Sequence, residues 1–204
     1  MAFRLATVLW GNWYLERFLG VTIPSLLADG NVPAILRRGA GVYDITTRAS
    51  EARALKRSPA FAALESLLPV RLNVLEDRAF AENPHETHKR VWRSSLKAAA
   101  RNGAWVAFVP PDGCWADGSL RTIAKRIAAG KTGVCAFHLR VDDASFLAEF
   151  ERRGHKNGPS VVIAPRELVD IALRTFAPLN CVYSRDSRHV PPHTEYVFFP
   201  VSGE

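Results

Sequence analysis

Apolar runs and amphipathic stretches alternate along the chain. Phe3 to Trp10 is a short apolar run closed by Gly11-Asn12, the pattern of a buried strand. Trp13 to Leu27 follows with Tyr14, Phe18, Val21 and Ser25 at helical spacing, and Pro24 kinks or ends that helix. After the turn Ala28-Asp29-Gly30-Asn31 comes a second strand, Gly41 to Thr46, and then a helical pair, Ser50 to Arg57 and Pro59 to Leu67. Pro69 to Leu75 is a third strand. Asn83 to Asn102 is the longest helix, closed by Asn102-Gly103. Ala104 to Val109 reads as a fourth strand, apolar on both faces and so expected inside a sheet. A helix from Asp117 or Ser119 to Ala129 leads to a fifth strand, Thr132 to Val141. Asp143 to Arg153 is a helix, His155 to Pro159 a loop, Val161 to Ala164 a short extended piece, and Pro165 to Phe176 a helix. A last apolar run, Tyr196 to Val201, reads as a strand.

This β-α alternation predicts a three-layer α/β/α domain with a mainly parallel central sheet of about five or more strands. Length and composition fit one domain over residues 1–204: 48% of the residues are hydrophobic and 23% charged, enough to bury a core. In such a sheet ligands bind beyond the carboxyl ends of the strands, where strand order reverses. That rule selects Trp10, Gly11 and Asn12 after the first strand, and Thr46, Thr47 and Arg48 after the second. It also selects Glu76 and Asp77 after the third, with His85 and His88 opening the next helix. Asp112 follows the fourth strand, and His138 and Arg140 lie towards the end of the fifth.

A net charge of +7 fits an anionic partner, and it fits equally a merely basic surface. No block of five like charges occurs, so no nucleic-acid arm and no specific nucleic-acid binding are expected. Cys114, Cys135 and Cys181 are widely spaced and include no Cys-x-x-Cys, which suits reduced thiols. With neither a signal-peptide pattern at the start nor an apolar stretch of transmembrane length, a cytoplasmic protein is expected.

Several chemistries are excluded by motif. There is no G-x-G-x-x-G after the first strand, no G-x-x-x-x-G-K-[ST], and no G-x-S-x-G. A nicotinamide Rossmann enzyme, a P-loop NTPase and an α/β-hydrolase are therefore disfavoured. Asp112, in Phe108-Val109-Pro110-Pro111-Asp112-Gly113, has two readings: a carboxylate at the binding edge for Mg²⁺ or Mn²⁺, or a Pro-Asp-Gly turn bonded to its own backbone. Asp117 needs no role beyond a helix N-cap. His85 and His88 lie three apart on one helical turn, suited to a metal, to phosphate, or to an exposed first turn; the His-Glu-x-x-His pattern is absent. Of the five tryptophans, Trp10 closes a strand at the binding edge and is placed to stack on a base.

The run THKRVWRSSLKAAARNGAWVAFVPPDGCWADGSL, Thr87 to Leu120, resembles the centre of GT-A type glycosyltransferases, in which a helix leads into a strand that ends in an acidic motif. The opening stretch ATVLWGNWYLERFLGVTIPSLLADGNVPAI is similar to the start of the same fold, and also to bacterial hypothetical proteins grouped with these transferases. The resemblance covers roughly residues 3 to 140 and rests on pattern. It implies a nucleotide-activated sugar as substrate, with a divalent metal, Mn²⁺ or Mg²⁺, at Asp112; the residues expected to line the cleft, Trp10, Gly11, Thr46, Arg48 and His88, are those that the carboxyl-edge rule selects. The family usually shows two aspartates where this chain has Pro-Pro-Asp-Gly-Cys, which fits a metal-independent or inactive relative as well. The acceptor half is expected to be short or missing, and Asp142, Asp143 and Glu195 are candidates for a base only as late acidic residues. Two readings follow: a sugar transferase, or a non-catalytic nucleotide-binding or protein-interaction domain on the same fold.

Overall fold

The structure is a computed structural model that describes residues 2–136 and 138–177; the expected strand Tyr196 to Val201, together with Cys181 and Glu195, lies outside the described residues. Four strands form one sheet: β1 (Ala2–Val8), β2 (Gly41–Thr47), β3 (Val70–Val74) and β4 (Ala104–Phe108). Their order is β3-β2-β1-β4, and every pair is parallel.

Register explains how the two faces divide. Leu5 pairs with Tyr43 and Ala107, and Tyr43 with Val70, so one face carries Phe3, Leu5, Tyr43, Ile45, Val70 and Leu72. That face makes the main core together with Phe18, Ile23, Leu26, Phe61 and Leu120. These residues come from the segment after β1, from α5 (Pro59–Glu65) and from α8 (Ser119–Ala128). The opposite face is more polar. Arg4 and Asp44 form a nearly buried ion pair there, their side chains only 11% and 10% exposed. The long helix α7 (Pro84–Arg101) packs over β1 and β4 on this side. Helices on both faces of an all-parallel sheet make this an α/β domain of the expected class.

The segment after β1 is helical from Asn12 to Leu26, but not uniformly. α1 (Asn12–Arg17) passes into a π-helical turn, Phe18–Thr22, and then into α2 (Ile23–Leu26), with a short α3 (Val32–Leu36) before β2. Pro24 supplies the cause: it has no N–H, and in an unbroken α-helix its ring would press on the carbonyl four residues back. The widened turn before it relieves that clash, so the chain neither stops nor breaks at the proline.

Three expectations are corrected. β4 is an edge strand among the described residues, paired only with β1 and half-buried along its length. The reason lies in the missing fifth strand. Thr132 to Val141 forms no strand among its described residues; a strand exists only where a neighbour satisfies its backbone. This stretch makes just one isolated bridge, Val141 to Phe176, and 131–136 are all exposed. Third, the loop expected at His155 to Pro159 belongs to a small antiparallel hairpin, β5 (His155–Asn157) and β6 (Ser160–Val162), turning through Gly158 at φ 57°. It packs with α9 (Asp143–Arg153) and α10 (Pro165–Arg174) in a second, smaller core of Phe146, Phe150, Val161, Ile163 and Ile171, which meets the π-helical turn at Val21.

Candidate ligand site at the carboxyl edge

The strand order places a switch point between β1 and β4 at the carboxyl edge of the sheet. From β1 the chain moves outward to β2 and β3, then crosses back to place β4 on the other side of β1. The loops leaving β1 and β4 therefore start side by side at the switch point where such sheets hold a ligand crevice, and beyond it the chain after β4 turns onto the same face as the chain after β1, where Trp115 N–H donates to Ser25 and Leu120 N–H to Asn31. Trp10 and Gly11 belong to the first loop, and Asp112 to the second.

The first loop is held from below. Leu9 N–H donates to the Thr46 carbonyl at 2.9 Å, and Gly11 N–H donates to Glu51 Oε1 at 2.9 Å. Gly11 has φ 88° and ψ 147°, a conformation open only to glycine without strain. Glu51, in α4 (Ala49–Lys56), is 2% exposed. It also accepts from the Arg48 guanidinium and from Ser50 Oγ at 2.7 Å. Burial alone would push its carboxyl up; the donors from Arg48, Ser50 and Gly11 outweigh burial and hold it down at about 2. Thr46 is buried, and Arg48 is committed to Glu51. Both serve the framework of the loop.

Above this loop lies a run of aromatic rings. Trp10 stacks on Phe80 of α6 (Asp77–Glu82) at 5.3 Å between ring centres and meets His88 of α7 edge-on at 6.2 Å. His88 meets Trp92 edge-on at 4.5 Å, and Trp92 stacks on Phe108 at 4.3 Å. Half-burial among these rings, helped by His85, lowers the His88 pKa and favours neutral imidazole. The structure thus brings together Trp10 and His88, two of the residues selected from the sequence.

Asp112 stands apart from that group. Gly113 N–H donates to the Pro110 carbonyl at 3.3 Å, closing a β-turn with Pro111 and Asp112 at its centre. Thr22 Oγ1 donates to the Pro111 carbonyl at 2.8 Å and ties the loop to the π-helical turn. Asp112 itself is exposed. Crowding by the rim raises its carboxyl pKa, while its own backbone N–H, His138 and Arg140 pull it down. Since the side chain still meets solvent, this crowding is partial desolvation and not burial in a core. Among the described residues no group of three or more His, Cys, Asp or Glu could hold a metal. Asp112 thus sits at the centre of a turn closed by its neighbours, with its carboxylate at the surface, and a lone carboxylate there suits only an ion that arrives with most of its own ligands, as Mg²⁺ does on a diphosphate.

Of the late acidic residues, Asp142 caps α9 by accepting from Ser145 N–H at 3.0 Å. Asp143 accepts from Arg17 Nε at 2.7 Å and Trp13 Nε1 at 3.2 Å. Glu51 and Phe80 are the residues the sequence reading missed. Arg48 and Glu51, three apart at a helix start, carried a signal for the first; Phe80 meets Trp10 through a long-range contact with no local mark.

Comparison with protein families, with curated proteins and with solved structures gives no match. The likeness to GT-A transferases thus rests on the sequence pattern alone. No helix among the described residues is long and apolar enough to cross a membrane.

Proposed function

We propose that the chain binds a nucleotide-activated sugar at the β1/β4 crevice and transfers the sugar, in the manner of a GT-A glycosyltransferase. The observation that carries this reading is the order β3-β2-β1-β4, which sets the Trp10 loop beside the Asp112 loop at the point where strand order reverses. In this reading the half-buried Trp10 ring receives the base, with neutral His88 against its edge. Asp112 meets a divalent ion, Mn²⁺ or Mg²⁺, carried by the diphosphate. Gly11 lets the loop turn close to the ligand, and Glu51 and Arg48 hold that loop in place.

A second reading, binding without transfer, is favoured by a specific observation. Asp112 is the turn residue of its loop, and Asp142 and Asp143 are engaged in a helix cap and an ion pair. No described carboxylate is left in an evident role as base. A thermal-shift screen of nucleotide sugars with and without Mn²⁺ separates the readings. A ligand at 100 times its Kd stabilises the native state by about 2.7 kcal/mol. A metal-dependent rise, abolished in Asp112→Asn, supports the transferase. A metal-independent rise without sugar release supports binding alone, and no rise with any nucleotide sugar overturns both.

A further inference from the structure

A groove of about 920 Å³ lies between the end of β3, α6 and α7, and its lining includes none of Trp10, Gly11, His88 and Asp112. Its cations are Arg78, Arg90, Arg93 and Lys97, and its acids are Glu76, Glu82 and Glu86. Two of the acids are already paired, Glu76 with Arg78 at 2.6 Å and Glu86 with Lys89 at 2.8 Å. Arg90, Arg93 and Lys97 have no carboxylate within ion-pair distance among the described residues.

The arrangement follows from helical geometry. At about 100° per residue, Thr87, Ser95 and Ala99 form the buried stripe of α7. Trp92 and Leu96 fall on the flank beside β4, where Trp92 stacks on Phe108. Arg90, Arg93 and Lys97 fall on the outward side, nearly opposite the buried stripe, within an arc of about 60°, and span roughly 10 Å along the axis. One helix therefore presents an aromatic side to the sheet edge and a basic side to a concavity.

We propose that this groove binds a linear, phosphate-bearing anion along Arg90, Arg93 and Lys97. Guanidinium forks match phosphate oxygens two at a time, and Ser94, in the same lining, adds a hydroxyl donor. The lining holds no aromatic ring on which a base would stack, so recognition is of the phosphate chain and is indifferent to sequence. The concave shape, with exposed Trp92 and Leu96 on the far flank, suits a chain lying in a trough and not a membrane surface. This inference stands whether or not a nucleotide sugar binds at the crevice.

The test uses the full chain at low salt, with tripolyphosphate by calorimetry and a labelled ten-nucleotide single strand by fluorescence anisotropy. Arg93→Gln with Lys97→Gln removes two groove charges at exposed positions; Lys125→Gln with Arg126→Gln removes two exposed charges from α8, outside the groove. The groove pair is expected to lose about tenfold or more in affinity and the α8 pair less than about twofold, with a shallower salt dependence in the groove pair alone. Loss for both probes identifies any phosphate chain, nucleic-acid backbone included; loss for tripolyphosphate alone narrows the ligand to free oligophosphates. Equal loss in the two variant pairs, no binding by the native chain, or equally tight binding of a glutamate decapeptide overturns the proposal.

Discussion

Replacing Glu51 with glutamine probes the support of the candidate site without touching its rim. Glu51 is 2% exposed, and its carboxyl is held at about 2 against an ordinary 4.5. At 1.36 kcal/mol per pH unit that depression corresponds to about 3 kcal/mol of stability in the ionised state. Arg48 is 29% exposed and can turn to water, so the loss in Glu51→Gln is expected nearer ~2 kcal/mol. The amide keeps one oxygen for Gly11 N–H but loses the charge that Arg48 and Ser50 address. The sign with pH is definite: a depressed carboxyl stabilises the fold fully above about 4.5, and that stability is lost as pH falls through about 2. Urea denaturation at several pH values is the assay. The native chain should exceed Glu51→Gln by ~2 kcal/mol at pH 7, and the gap should close as pH approaches 2. Equal stability at pH 7, or a gap that persists undiminished at pH 2, would show that the Glu51 charge does not stabilise the fold.

Gly11→Ala should cost about 1–3 kcal/mol through backbone strain alone, because its φ is 88° and no atom stands within 4 Å of a new Cβ; Gly20→Ala, equally open but helical, should instead stabilise by up to ~1 kcal/mol, both read from urea midpoints. Asp44→Ala strands Arg4 beneath α7 and should cost about 3–5 kcal/mol, whereas Arg4→Met with Asp44→Leu should recover most of it in the same assay. His88 should titrate by NMR with a midpoint below 6.5, so its charging opposes the fold and lowers stability as pH drops through the unfolded value; a midpoint at or above 6.5 contradicts its burial among the rings.

The class of fold was readable because parallel strands and their crossover helices leave local marks. Gly11-Asn12 ends the first strand, Asn102-Gly103 closes α7, and Pro59, Pro84 and Pro165 sit at helix starts. Sheet position was not readable. Ala104 to Val109 is apolar enough for an interior strand, yet it is an edge among the described residues, because its predicted neighbour finds one bridge where a ladder was needed. The pairing of Trp10 with His88 followed from the rule for carboxyl edges, since both lie at that edge. The engagement of Arg48 and Thr46 did not: whether a side chain faces a ligand or a neighbour depends on Glu51, which reaches across from α4 to another strand's loop. Likewise Asp112 shows the same Pro-Asp-Gly sequence under either role, and the turn closed between Pro110 and Gly113 leaves its carboxylate at the surface in both.

The most direct test of the account is to map where a nucleoside diphosphate binds. Amide and indole chemical shifts of the labelled protein are followed while uridine diphosphate, and then a panel of other nucleoside diphosphates, is added with Mg²⁺. The crevice reading predicts that the largest changes fall at the Trp10 indole, Gly11 and Asp112, with smaller ones at His88. Changes confined to other surfaces, or none with any nucleotide up to millimolar concentration, would contradict a ligand site at the β1/β4 switch point.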